Sequence, residues 1–188
     1  MRQAWRVGVG VVLLAAAAAP APAHDGALLR KQRFAGTAHV GEVQLAPVQF
    51  EFSCHPASNG SLNIEVVLTK DDAAGGFPLD RFEGPDGFGT ENDTAQWSVD
   101  TRGAGLNVSG GINGWYGVDG DGFIFGRSQD NRKPDGLGKL VRAVTEPDAK
   151  RLRLSVATPD KKGAPFQAEL ILDGRQAAIR EVVAPCLR

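Results

Sequence analysis

Three histidines, two cysteines, a carboxylate-rich middle and a few aromatics are the residues of this chain able to do chemistry. His24 directly follows Ala21-Pro22-Ala23, a small-residue processing site. As the first residue of a processed chain it offers its α-amine and ring Nδ1 together, a pair that chelates Cu(II) in a planar arrangement. A second imidazole would have to come from His39 or His55. Asp119-Gly120-Asp121-Gly122 sets two carboxylates two residues apart at a sharp turn, so Asp119 and Asp121 are candidate calcium ligands. Asp80, Glu83, Asp86, Glu91 and Asp93 supply carboxylates of the kind glycan hydrolysis uses in pairs, although their spacing selects no pair. Trp97, Trp115 and Tyr116 are candidate platforms for a sugar ring.

A terminal His24 resembles the N-terminal histidine of copper-brace proteins, both the polysaccharide monooxygenases and the small periplasmic copper carriers. That resemblance covers one position. It implies copper as cofactor, held by His24 with His39 or His55, and oxidative chemistry as one outcome. The segment from Asp119 to Ile124 resembles the centre of an EF-hand loop. With Asp119 as the third loop position, however, Gly117 and Ser128 fall at the first and twelfth, where the strong ligands belong. The same residues suit a tight hairpin turn.

These groups have a compartment. Arg2 and Arg6 precede an uncharged apolar run from Val7 to Ala19, shorter than the roughly 20 residues a bilayer needs. Residues 1–23 therefore read as a cleaved signal peptide and residues 24–188 as one β-rich domain, with 24–33 a mobile N-terminal arm. The expected location is the periplasm or the exterior of a bacterium, with no membrane span in the mature chain. In an oxidising compartment, Cys54 and Cys186 are expected to form a disulfide. Removing Arg2 and Arg6 leaves 19 Lys/Arg against 22 Asp/Glu, a net charge near −3, which excludes a polyanion binder by charge and speaks against nucleic acid as a partner.

Elements to position the candidates come mostly from period-two alternation. Residues 48–54 (VQFEFSC) put Val48, Phe50, Phe52 and Cys54 on one face, and residues 62–69 repeat the pattern after a turn cluster, giving a hairpin. Short strands are expected at 78–82, 96–100, 105–109, 113–118, 122–127, 139–144, 151–156 and 166–172. Ala178, Ile179, Val182, Val183 and Cys186 make a helical stripe near the end, limited by Pro185. The fold expected is all-β: an antiparallel sandwich or barrel of about nine or ten short strands with a short C-terminal helix.

No G-x-S-x-G, phosphate-loop or dinucleotide fingerprint occurs in the sequence. The function expected is therefore an exported, non-enzymatic binding or interaction protein whose partner is a glycan or a cell-envelope protein. The alternatives are copper binding through His24 and a carboxylate-based glycan hydrolase.

Overall fold

The computed structural model describes residues 28–69, 74–103, 105–118 and 121–187. Ten strands run through them: β1 Arg30–Val40, β2 Val43–Gln44, β3 Val48–His55, β4 Ser61–Thr69, β5 Ala95–Asp100, β6 Leu106–Gly110, β7 Asn113–Tyr116, β8 Asp121–Gln129, β9 Arg151–Val156 and β10 Phe166–Ile171. Nine of them form one curled sheet in the order β6-β5-β9-β10-β1-β3-β4-β8-β7, and β2 adds to β1. Every pairing of named strands is antiparallel. The all-β architecture expected from alternation is present.

The first strand holds the sheet together by changing partner part-way along. Arg30 to Gly36 pair with Cys54 to Val48 of β3, whereas Thr37 to Val40 pair with Glu169 to Phe166 of β10. Gly36 stands at the changeover. A Cβ there would lie 2.6 Å from the Glu169 carbonyl oxygen and 2.7 Å from the Phe50 ring, so the close approach of the two half-sheets needs glycine.

Alternation sorts the strands into one core. Phe50, Phe52, Ile64, Val66, Phe125, Leu154 and Phe166 are all buried in a single apolar cluster. Phe77, Phe82, Phe125 and Phe166 meet there with ring centroids 5.0–6.1 Å apart, mostly edge-on or tilted. Cys54 bonds to Cys186 across 132 residues of sequence, with a Cα–Cα distance of 5.8 Å. The bridge fixes the chain's end to β3 and fits an oxidising location outside the cytoplasm. No helix among the described residues is long and apolar enough to cross a membrane.

Three expectations are corrected. Residues 139–144 are not a strand but most of helix α2, Leu137–Val144, which follows the short helix α1, Phe88–Glu91. Leu137, Leu140, Val141 and Val144 fall at helical spacing and are fully buried, so burial of that stripe overrides the weak helix preference of the two valines. Residues 78–82 are not a strand either; Leu79–Phe82 is a 3-10 turn that buries Leu79 and Phe82, three residues apart, on one side. The arm ends earlier than expected, because Arg30 to Arg33 already pair with Cys54 to Glu51 in the sheet. The C-terminal helix is present as α3, Gln176–Val183, continued by a 3-10 turn to Cys186.

Candidate functional site

Edge strand β7 carries two of the three aromatic candidates. Side chains alternate along a strand, so Trp115 and Tyr116 point to opposite faces and form no common platform. Tyr116 is half exposed, meets Phe123 edge-on at 5.0 Å, and donates its hydroxyl hydrogen to the Asp80 carboxylate. That hydrogen bond, then burial, then the negative charges of Asp80 and Glu83 push the phenol up to about 12.

Trp115 lies over Gly126 of β8, where a Cβ would come within 2.5 Å of the indole. Missing bulk at Gly126 thus makes room for the ring beside β8. The loop after the 3-10 turn is tied to the same edge. The Gly84 amide donates to the Gly114 carbonyl at 2.9 Å, and the Ile112 amide donates to the Gly89 carbonyl at 2.7 Å. The Thr90 hydroxyl donates to Asn113 Oδ1 at 3.0 Å. Together Gly84, Pro85, Thr90, Asn113, Gly114 and Trp115 enclose an open cavity of about 460 Å³. Since Oδ1 of Asn113 takes the threonine hydrogen, the amide's Nδ2 is the group with hydrogens left to give. The cavity therefore presents a partly exposed indole, an amide donor and a hydroxyl: an apolar face beside a small number of directional polar groups.

Trp97 is placed otherwise. Its ring is fully buried in the core on β5, and its indole N–H finds no partner among the described residues. It is not a surface platform; its strand position on the inward-facing row, with Val99, decides this.

The histidines are kept apart. His39 sits where β1 pairs β10 and contacts Gln167 Oε1 through Nε2 at 2.6 Å. His55 ends β3, its Nδ1 in contact with the Ser58 hydroxyl. From Gly36 opposite Val48, His39 is three residues one way and His55 seven residues the other, about 30 Å at strand rise, so one metal cannot use both. His24 and Asp119 lie outside the described residues; Asp121 begins β8. Among the described residues no three His, Cys, Asp or Glu side chains gather as a metal site.

A second concavity, about 290 Å³, lies on the outer face of the other half-sheet. Here Gln96, Ser155, Gln167 and His39 stand opposite one another across β5, β9, β10 and β1. In the neighbouring row Arg153 donates to Glu169 at 2.9 Å and to Asp100 at 2.9 Å, so those charges are mutually engaged.

No family model, no curated protein and no solved structure matches this chain. Its site is read from its own geometry. Trp115 and Tyr116 were visible in the sequence as aromatics beside Asn and Gly. Thr90 was not: it lies 23 residues from Asn113, and only the docking of the 83–90 loop onto β7 brings the two together.

Proposed function

We propose that this chain is an exported, non-enzymatic binding protein of the bacterial envelope, periplasmic or secreted, and that its ligand is a glycan seated on Trp115. The observation that supports this reading is the cavity shared by Trp115, Asn113 and Thr90. An indole offers the C–H face of a sugar ring an apolar partner, while the Asn113 amide and the Thr90 hydroxyl are placed beside it to read ring hydroxyls. The signal-like residues 1–23 and the Cys54–Cys186 bridge support the location.

The test is a fluorescence titration of the processed chain with a panel of bacterial and plant oligosaccharides. Trp5 leaves with the signal segment, so only Trp97 and Trp115 remain. Trp97 is fully buried, so Trp115 is the ring a sugar can perturb. At least one oligosaccharide is expected to shift the emission saturably without being consumed, and Trp115→Ala should abolish the shift while Asn113→Ala weakens it. A panel that gives no saturable change, or binding that survives Trp115→Ala, would overturn the proposal.

A further inference from the structure

The concavity of about 290 Å³ on the outer face of β5, β9, β10 and β1 is built by alternation. On β5, Trp97 and Val99 enter the core, so Gln96 and Ser98 turn outward. Arg153 and Ser155 turn outward on β9, and Gln167 and Glu169 on β10. Register then sets two polar rows across the strands: Gln96, Ser155, Gln167 and His39 in one, and Ser98, Arg153, Glu169 and Thr37 in the next. With about 4.8 Å between strands, each row runs roughly 14 Å. The depression comes from short side chains. Ser98 and Ser155 lie diagonally on neighbouring strands among the longer Gln96, Arg153 and Gln167. Leu154 and Ala168 have their side chains in the core and reach the floor through their backbone.

The charges here cancel. Arg151 and Arg153 are paired with Asp100 and Glu169, two cations against two carboxylates. The uncharged groups are not engaged in this way. Among the described residues, the side chains of Gln96, Ser98 and Ser155 make no hydrogen bond, and those of His39 and Gln167 bond only to each other. Gln167 Oε1 can only accept, so the imidazole carries its hydrogen on Nε2. The neutral ring's Nδ1 is then an acceptor, and the Gln167 amide keeps its two donor hydrogens. The lining thus offers donors and acceptors side by side, with balanced charge and no Trp, Tyr or Phe. Sugar hydroxyls each donate and accept, which matches such a lining, whereas an ion would lose its water with no opposite charge to receive it. The volume lies at the small end for ligand sites and suits one ring rather than a chain.

We infer that this concavity binds a single neutral sugar ring by its hydroxyl edge, with Gln96, Ser155, Gln167 and His39 as the recognising side chains. The site is separate from the Trp115 cavity and works by hydrogen bonds without stacking, so it does not depend on the reading of that cavity.

Heteronuclear NMR of the imidazole rings in the processed, disulfide-bonded chain tests it, the His39 signals being those missing from His39→Asn. The probes are glucose, galactose, mannose and N-acetylglucosamine, with N-methylacetamide as a peptide-like control and sodium acetate as an ionic one. At least one sugar is expected to shift the His39 signals saturably, and neither control to do so. Gln96→Ala, an exposed substitution, should weaken binding about fivefold, the loss of one hydrogen bond. Ser155→Leu should abolish it by filling the depression, and Trp115→Ala should leave it unchanged. No saturable shift with any of the sugars, an equal shift with either control, an affinity that neither Gln96→Ala nor Ser155→Leu moves, or binding lost in Trp115→Ala would each overturn the inference.

Discussion

The Tyr116 hydroxyl donates to the Asp80 carboxylate, tying edge strand β7 to the 3-10 turn that precedes the Trp115 cavity. The carboxylate stabilises the protonated phenol, which ionises only near pH 12. Because the folded value lies above the ordinary one of 10.0, this contact contributes its full stability below about pH 10 and loses it as pH rises towards 12. Tyr116 is the only tyrosine, so the ultraviolet absorbance of the phenolate reports it alone. Its titration midpoint should lie near 12 in the wild type and fall towards 10 in Asp80→Asn. An ordinary midpoint in the folded wild-type protein would show that the contact does not form in solution.

Arg127 links β8, next to one end of the curled sheet, to β6 at the other end. From β8 it donates to the Ser109 carbonyl of β6 at 3.3 Å, and to the Asp135 backbone and side chain at 3.2 and 3.0 Å. Gly110 makes room, since a Cβ there would lie 2.7 Å from the guanidinium. Arg127→Met should cost about 2 kcal/mol, less than the roughly 3–5 kcal/mol of breaking a fully buried ion pair, because Asp135 is 40% exposed and partly screened. Arg127→Lys should recover only part of this, lacking the planar fork. Urea unfolding of both variants measures the difference.

Gly36→Ala should destabilise by about 1–3 kcal/mol, because its methyl would meet a backbone oxygen that cannot rotate away. Gly103→Ala, where a Cβ meets nothing within 4 Å, is the matched control and should be close to neutral. Thermal melts of the pair, read at equal protein concentration, give the comparison.

Reducing Cys54–Cys186 should lower stability by about 4–5 kcal/mol if the bridge acts through chain entropy over its 132-residue separation. Paired denaturation curves with and without reductant measure the loss. A change below about 1 kcal/mol would mean that packing of Ile179, Val182 and Val183, with the Gln176 and Arg180 hydrogen bonds to Ala149 and Thr145, is enough to hold α3.

What could be read in the sequence follows from what sets each element. In β3, β4, β9 and β10 the core faces one side only, so alternation was legible almost to the residue: Arg151–Val156 was expected in full. Strand β1 was not: no strand was expected before residue 48, and the exposed Arg30 to Arg33 owe their strand state to pairing with β3 rather than to an apolar pattern. Helix α2 was lost to its valines, although Leu137 and Leu140 already mark the 3.6-residue period once the window opens at 137 rather than 139. The site was half visible. Trp115 and Asn113 are near neighbours in sequence, whereas Thr90 is brought to them by loop docking that no local pattern encodes.

The change of partner along β1 also sets a timetable. Emerging first, β1 can pair with β3 as soon as the hairpin of β3 and β4 forms, but the β10-facing edge of its second half must wait for Phe166 to Glu169, more than a hundred residues later. Until then the seam at Thr37 to Val40 is an open edge, and the long separation makes its closure a slow, late event. A nascent chain held short of β10, or a fragment lacking it, is left with a complete first half-sheet and a bare strand edge, the state in which chain-to-chain pairing competes with folding.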